Sequence, residues 1–237
     1  MPAHIGIIGC SAEGAALCYR TICLEGARHF GPDGHPEISM HTHSLGEYMH
    51  KLETAGWRGV GELMLDSARK LAAAGARFLI CPDNTIHQAL PCIEPRLPLP
   101  WLHIASVVAD HALQRGFRRI GLLGTRSLVD SDVYPLQFTA RGLEYFRPAI
   151  AERDAIDEII FDELVRGRCT PEGIATHQKV IARMKSDGCD AVVLGCTEIP
   201  LLINDSNSPL PTLDSTRLLA RAALRRAHPV SAPAVLH

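Results

Sequence analysis

Two similar stretches lie in the two halves of the chain: Ile80-Cys81-Pro82-Asp83-Asn84-Thr85-Ile86-His87 and Leu194-Gly195-Cys196-Thr197-Glu198-Ile199-Pro200. Each follows a small-residue turn and a short apolar run. Asp83 and Cys196 stand at matching places, 113 residues apart, and both side chains can carry a proton. The pattern predicts two similar halves with an acid–base group at the same point of each. That arrangement suits chemistry on both faces of one carbon atom.

The rest of the chain supports a repeat of strand–helix units. Ile5 to Gly9 resembles Ile120 to Gly124 at an offset of 115 residues. Short apolar runs alternate with amphipathic stretches, which is typical of helices packed on parallel sheets. We predict strands at 4–9, 37–42, 76–81, 100–104, 119–123, 157–161, 190–195 and 210–213. We predict helices at 13–26, 44–54, 58–74, 84–92, 105–115, 130–147, 171–187 and 215–227, and an irregular tail over 227–237.

This alternation predicts an α/β protein of two lobes with parallel sheets. Residues 1–101 and 211–237 would form the first lobe, and residues 102–210 the second. Ligands of open α/β sheets bind beyond the carboxyl ends of the strands. Since Asp83 and Cys196 follow predicted strands, we expect a cleft between the lobes to bring them face to face.

Composition excludes several classes of partner. Hydrophobic residues make up 46% of the 237 residues and charged residues 21%, as in ordinary globular proteins. The net charge of −2 offers no basic surface for nucleic acid or an anionic membrane, and no apolar run approaches the roughly 18 residues of a membrane helix. Met1 to His4 leads directly into an apolar strand, which predicts no secretory signal. Eight cysteines without framework spacing predict free thiols and a cytoplasmic location.

Metal and dinucleotide sites are disfavoured by spacing. His41-Thr42-His43 is the nearest approach to a ligand pair, but no third ligand falls at metal-site spacing, so we expect no metal site. The turn Gly6 to Gly14 lacks the full GxGxxG pattern of a dinucleotide site. Its backbone N–H groups and the Ser11 hydroxyl can instead bind a carboxylate at a helix N-terminus.

Asp83-Asn84-Thr85 has two interpretations. These residue types are favoured N-caps, and a helix is predicted next, which favours a structural role. Alternatively, Asp83 acts as a base while the amide of Asn84 and the hydroxyl of Thr85 bind an α-carboxylate. His87, one helical turn later, is either a core histidine or a further site residue.

Cys196 also has two interpretations. A cysteine that ends a buried strand is often an inert core thiol, but a following helix N-terminus would lower its pKa and make it reactive. Thr197 is placed to contact a substrate beside it. Glu198 either complements the helix dipole or supports binding of a substrate ammonium.

Three segments carry a resemblance to a known family. Gly195 to Pro200 matches a family signature in full, and Leu122 to Arg126 followed by Tyr134 is similar to the family's segment opening the second lobe. Gly6 to Ala15 is similar to an N-terminal glycine loop, although Cys10-Ser11-Ala12 stands where Gly-Met-Gly is common. On these residues the chain resembles the aspartate/glutamate racemase family, which includes hydantoin racemases, maleate isomerases and arylmalonate decarboxylases. The similarity extends from about residue 4 to about residue 223.

The resemblance implies two pseudo-symmetric Rossmann-like lobes, an inter-lobe active-site cleft and no cofactor such as pyridoxal phosphate. It implies a small amino acid or dicarboxylate as substrate and is compatible with a homodimer. In this family two cysteines flank the α-carbon: one removes its proton and the other returns it from the opposite face. Cys196 corresponds to the second cysteine, but Asp83 stands where the first is usual, before Asn84-Thr85. Cys81, two residues earlier, is expected to point elsewhere.

Because Asp83 stands in place of the usual cysteine, we predict that the two bases have unequal pKa values. A free aspartate has a pKa of about 3.9 and a free cysteine about 8.5, a gap on the order of 6 kcal/mol. The resting protein would therefore hold Asp83 as carboxylate and Cys196 as thiol, so that Asp83 removes the proton and Cys196 donates one. We expect different kcat values for the two enantiomers and lower activity than in a two-cysteine relative.

Two alternatives to an amino-acid racemase remain at this point. A decarboxylase or isomerase could use Cys196 alone, and a non-catalytic protein could bind a small acid. For a racemase, an acidic amino acid is the first expectation for the substrate, with Thr125 as a further contact. The segment 37–50 contains no Arg or Lys, so the candidate anchors for an acidic side chain are Arg126, Arg166 and Arg168, each more typical of a surface charge.

Overall fold

The computed structural model describes residues 2–228. Its strands are β1 (Ile5–Gly9), β2 (Ile38–Thr42), β3 (Phe78–Ile80), β4 (Trp101–Leu102), β5 (Arg119–Leu123), β6 (Glu144–Phe146), β7 (Ala191–Leu194) and β8 (Thr212–Asp214). Its α-helices are α1 (Ala12–Phe30), α2 (Leu45–Ala73), α3 (Leu90–Ile93), α4 (Ile104–Gln114), α5 (Arg126–Val129), α6 (Val133–Thr139), α7 (Ile150–Asp162), α8 (Pro171–Ser186) and α9 (Ser215–Ala227). Short 3-10 turns lie at Thr85–Ala89, Glu94–Arg96, Leu164–Arg166 and Ile199–Leu201.

The strands form two four-stranded parallel sheets of the same topology. The first sheet has the order β2-β1-β3-β4 and the second the order β6-β5-β7-β8, so each strand of the first sheet has an equivalent four strands later. This confirms the predicted α/β fold with two pseudo-symmetric lobes. β8 pairs with β7 in the second sheet, and α9, which follows it, packs on α1 of the first lobe. α9 also packs on α4, and the division of the chain into lobes at residues 101 and 211 stays a prediction.

The hydrophobic core continues from one lobe into the other. The inner faces of the two sheets, with Ile7 of β1 and Leu122 of β5, share one buried cluster with α4 and α9. On the outer faces, Ile8 packs under α2, and Leu123 packs under α7 and α8. Because each sheet is covered on both faces, its central strands are almost uninterrupted runs of apolar residues. That pattern is what made these strands predictable.

Two assignments in the second lobe were wrong. The predicted strand 157–161 lies in helix α7, whose buried residues Ile156 and Ile160 are four apart and face the core on one side. The apolar run there is a helix face rather than a strand. The predicted helix 130–147 is instead the shorter helix α6 followed by the edge strand β6. β6 is short and mostly exposed, so its sequence lacks the apolar signal of a central strand.

The remaining assignments differ in detail. The helices predicted at 44–54 and 58–74 are the two parts of α2, which is kinked at Gly56, where φ is 60°. The predicted helix 84–92 is a 3-10 turn followed by the short α3. The predicted tail lies outside the described residues from residue 229 onward. Among residues 2–228 no helix has the length and apolarity to cross a membrane.

Candidate active site

Asp83 and Cys196 occupy equivalent positions in the two lobes. Asp83 follows β3 and Cys196 follows β7, each beyond the carboxyl end of a strand that pairs with the first strand of its sheet. The two groups interact electrostatically, because the charge of Asp83 contributes to raising the pKa of the Cys196 thiol. The repeat seen in the sequence therefore brings these two side chains into one site.

The Asp83 carboxylate is held by the loop between β1 and α1. The backbone N–H of Cys10 donates to its Oδ2 and that of Ser11 donates to its Oδ1, each at 3.0 Å. Ser11 also caps α1, since its hydroxyl accepts from the N–H of Gly14 at 3.2 Å. The carboxylate therefore lies at the N-terminus of α1, whereas its own 3-10 turn has no side-chain cap. The loop predicted to bind a carboxylate binds the one from Asp83.

Burial makes Asp83 a stronger base than a free aspartate. Desolvation is the largest influence, and it raises the pKa of Asp83 to about 6. The hydrogen bonds from Ser11 and Cys10 oppose this rise by favouring the charged form, and the nearby Glu198 charge adds to it. At neutral pH the side chain is mostly carboxylate, but it binds a proton more readily than an exposed one would.

Cys196 is held as a thiol. Its Sγ–H donates to Oε2 of Glu198 at 2.9 Å, and the Thr197 hydroxyl donates to the same oxygen at 2.7 Å. Burial, followed by the negative charge of Glu198, raises the pKa of Cys196 well above its usual range. The expectation that a helix N-terminus lowers this pKa was wrong, because only the short turn Ile199–Leu201 follows and a buried carboxylate lies beside the sulfur.

Gly14 allows the two lobes to meet at the site. A Cβ atom at this position would lie 2.7 Å from Cγ2 of Thr197, 2.8 Å from Oγ of Ser11 and 3.5 Å from Oδ1 of Asp83. Real Cβ atoms essentially never approach a neighbour that closely. The absence of a side chain in the first turn of α1 thus lets the Cys196 turn of the second lobe approach Asp83.

Asn84 joins the lobes instead of presenting its amide to solvent. Its Nδ2 donates to the Ser215 hydroxyl at 3.0 Å, and its Oδ1 accepts from the Tyr134 hydroxyl at 2.7 Å. Ser215 donates in turn to the carbonyl of Leu194, the last residue of β7. Through these bonds the buried side chain of Asn84 links the end of β3 to the end of β7.

A second set of contacts across the interface lies beside the first. Thr85 and Thr125 share a hydrogen bond between their hydroxyls at 3.1 Å. Gln88 donates from Nε2 to the carbonyl and to the hydroxyl of Ser127, both at 3.2 Å. These bonds connect the Asp83 segment to the N-terminus of α5. The predicted contacts Thr85 and Thr125 therefore lie together at the junction of the lobes.

His87 supports the backbone of the Asp83 turn. Its Nε2 accepts from Nε1 of Trp101 at 3.3 Å, so its Nδ1 carries the proton and donates to the Asp83 carbonyl at 2.9 Å. Burial lowers the pKa of His87 well below its usual range, which keeps the ring neutral. Both nitrogens are used by the protein, and His87 fixes the turn that carries Asp83.

Some contributors to the site were not singled out from the sequence. Cys10 acts through its backbone N–H, which carries no residue-specific signal. Ser215 follows β8 at the carboxyl edge of the second sheet, and that strand-end position was the available signal. Gly14 and Tyr134 stood inside recognised segments but received no role, because their importance depends on contacts with the other lobe.

Of the three candidate cationic anchors, two lie in surface ion pairs and the third donates to a backbone carbonyl. Nη1 of Arg126 contacts Asp154 at 2.7 Å, Arg166 lies 3.6 Å from Asp162, and Arg168 donates to a backbone carbonyl. Within residues 2–228, no lysine or arginine forms an ion pair with Asp83 or Glu198. The charged groups at the centre of the site are therefore carboxylates.

The sequence profile of Asp/Glu/hydantoin racemases matches residues 5–223. The chain belongs to this family. The finding confirms the resemblance stated from the three sequence segments, and it covers both lobes together with the Asp83 and Cys196 turns.

Individual relatives agree with this family membership. A solved Yersinia pestis structure assigned to the Asp/Glu racemases has 30% sequence identity and a TM-score of 0.89, covering 95% of this chain and 99% of that one. A glutamate racemase of Thermus thermophilus is 28% identical over 65% of this chain, and the match spans 57% of that enzyme's length. The broad-specificity amino-acid racemase RacX of Bacillus subtilis is 23% identical over 68% of this chain and 69% of its own length.

Proposed function

We propose that this family member is an amino-acid racemase that works without pyridoxal phosphate, with Asp83 and Cys196 acting on opposite faces of the substrate α-carbon. The observation that carries the proposal is the equivalent placement of the two side chains at the carboxyl ends of β3 and β7. Family membership and the racemase names of the similar proteins support it.

The protonation states assign a direction to the first step. With a pKa of about 6, Asp83 is mostly carboxylate at neutral pH and accepts the proton from the α-carbon. Cys196, held as a thiol, donates its proton to the opposite face of the carbanion. The step leaves a protonated Asp83 and a Cys196 thiolate. Reaction of the other enantiomer in reverse, or proton exchange with solvent, restores the starting state.

The two directions differ in difficulty. Starting from the second enantiomer, Cys196 must act as a thiolate beside the Glu198 carboxylate, which disfavours that state. The equilibrium constant between enantiomers is one, so kcat/KM is equal in both directions, whereas kcat and KM are not. We therefore expect different kcat values for the two enantiomers, and equal values would contradict the proposed roles.

The substrate proposed first is a small amino acid with an acidic side chain. The carboxylates of Asp83 and Glu198 favour an ammonium group on the substrate. The lack of a lysine or arginine paired with them among the described residues weakens the case for strict specificity toward an acidic side chain. Because one relative is named a broad-specificity amino-acid racemase, the test includes neutral amino acids beside aspartate and glutamate.

The deciding experiment is proton NMR in deuterated buffer with each enantiomer of a panel of amino acids, combined with chiral analysis of the product. The wild type is expected to exchange the α-proton and to invert configuration. Asp83→Ala and Cys196→Ala are both expected to lose inversion while remaining folded by circular dichroism. No exchange with any amino acid would reject the racemase assignment.

The decarboxylase alternative is disfavoured by charge. A substituted malonate would bring two carboxylates to a site that already holds Asp83 and Glu198, both buried. The same NMR series includes arylmalonates, and release of carbon dioxide dependent on Cys196 alone would support the decarboxylase. Binding of an amino acid without exchange or turnover would support a non-catalytic protein.

A homodimer and a cytoplasmic location remain predictions. All eight cysteines are unpaired thiols, which supports a reducing compartment. Analytical ultracentrifugation would test the homodimer.

A further inference from the structure

A cluster of three metal-binding side chains lies on the outer side of the first lobe. His41 and His43 stand two residues apart at the end of β2, and Asp66 faces them from α2. One potential ligand atom from each residue lies within 4.8 Å of the others. The sequence pointed to the histidine pair but expected no metal site, because the third side chain is 23 residues after His43 and reaches the pair only through the fold.

Hydrogen bonds orient both imidazole rings. Nδ1 of His41 contacts the buried Ser67 hydroxyl at 2.9 Å, which leaves Nε2 as the nitrogen without a hydrogen bond to the described residues. Nε2 of His43 lies 2.9 Å from Oδ2 of Asp66, while its Nδ1 faces the Glu47 carboxylate at 3.9 Å. His41 has the arrangement usual for metal-binding histidines, with one nitrogen on a hydroxyl and the other available to an ion. An ion bound to Nε2 of His43 would replace its hydrogen bond to Asp66 and leave Nδ1 facing Glu47.

We propose that His41, His43 and Asp66 bind a first-row divalent cation of the Zn²⁺ class. Two imidazole nitrogens and one carboxylate oxygen suit this class, and three protein ligands leave a coordination position open. Ligands of a tetrahedral ion about 2.0–2.2 Å away lie about 3.3–3.6 Å apart. The His43–Asp66 separation is 2.9 Å, and the three ligand atoms all lie within 4.8 Å of one another. Small side-chain rotations bring them to the required spacing, and these are available because all three residues are partly exposed.

Lys70 competes with a cation for the same carboxylate. Its Nζ lies 2.6 Å from Oδ2 of Asp66, and both side chains are about half exposed. An exposed ion pair of this kind contributes little to stability, so the ammonium can move into solvent when a divalent ion arrives. The proposal therefore predicts that removing the Lys70 charge tightens metal binding.

The position of the cluster connects it to the loop that holds Asp83. In the parallel pairing of β2 with β1, His41 is opposite Ile8 and Thr42 is opposite Gly9. Cys10, which follows, donates its N–H to Asp83. A bound ion would lie beside the strand that carries this loop. The metal site does not depend on the proposed racemase chemistry, and its test measures binding.

The experiment is isothermal titration of the metal-free full-length protein with Zn²⁺, in a Cys92→Ser/Cys169→Ser background that removes the exposed thiols. His41→Ala and Asp66→Asn are expected to weaken binding by about 10–100-fold, and Lys70→Met is expected to tighten it by about 2–5-fold. His111→Ala, which removes a histidine of α4, serves as the matched control. Absorption spectra with Co²⁺ report the ligand type.

Binding of one ion per chain with this order of affinities would support the site. The cobalt spectrum should then lack the intense bands of thiolate ligands. No binding, a thiolate spectrum, or an affinity unchanged in His41→Ala and Asp66→Asn would overturn the proposal. The gain expected from Lys70→Met cannot arise from unfolding, so it separates ligand loss from structural damage.

Discussion

The turns after β3 and β7 have the same place in their lobes but opposite surroundings. Asp83 accepts two backbone N–H groups from the loop of its own lobe, so its negative charge is supported. Cys196 donates to a buried carboxylate, so a negative charge on its sulfur is opposed. Burial raises the pKa of both groups, and the pKa of Asp83 remains below that of Cys196. A symmetric scaffold can thus hold a base on one side and an acid on the other.

The largest expected effect comes from removing Asp83 or Cys196 in turn and measuring which reaction the remaining residue still supports. Cys196→Ala should lower the rate of racemisation by about 10³-fold or more. It should retain α-proton exchange with one enantiomer, because Asp83 can remove a proton and return it to the same face. Asp83→Ala should lose exchange with both enantiomers, because Cys196 remains a thiol. Chiral chromatography and NMR on the same samples measure both. Exchange surviving in Asp83→Ala but not in Cys196→Ala would reverse the assigned roles.

The next effect tests the approach of one turn to the other. Gly14→Ala places a methyl group 2.7 Å from Cγ2 of Thr197 and should reduce kcat/KM by about 10²-fold through displacement of the Cys196 turn. Thr197→Ser removes that Cγ2 methyl and keeps the hydroxyl that binds Glu198. The double variant should therefore recover part of the loss. If Thr197→Ser gives no recovery, the contact with Ser11 rather than the lobe interface explains the defect.

A moderate effect concerns pH. Asp83 must be ionised to accept a proton, and its pKa is about 6. The value of kcat/KM should therefore fall about tenfold per pH unit below pH 6. Asp83→Cys places a thiol in both turns and should move this acidic limb to higher pH, since a thiol ionises at higher pH than a carboxyl group. An acidic limb that stays at the same pH in Asp83→Cys would assign it to another group.

The smallest effect concerns the link between the turns. Tyr134→Phe leaves Oδ1 of buried Asn84 without its 2.7 Å donor and should lower the free energy of unfolding by about 1–3 kcal/mol. Urea denaturation measures this loss. Tyr145→Phe, on the partly exposed strand β6, is the matched control and should change stability much less. Equal effects of the two substitutions would show that the Asn84 bond does not stabilise the interface.

The sequence predicted the central strands well because they are buried on both faces and read as apolar runs. The sequence-based prediction failed where apolar residues of the same types belong to a helix or where a strand lies at an exposed edge. Ile159-Ile160-Phe161 resembles a strand but lies in α7, where Ile156 and Ile160 face the core. β6 carries Glu144 and Tyr145 at an exposed edge, so nothing in its composition distinguishes it from a helix surface.

By itself the sequence determined the two-lobed α/β fold, the family and the equivalent positions of Asp83 and Cys196, because these follow from periodicity, repeats and short motifs. Only the tertiary structure decided the environment of each group. The N–H groups of Cys10 and Ser11 come from a loop more than 70 residues before Asp83, and the links of Asn84 to Tyr134 and Ser215 cross the lobes. The pKa of a buried group depends on desolvation and neighbouring charges, and these are fixed by packing between distant segments.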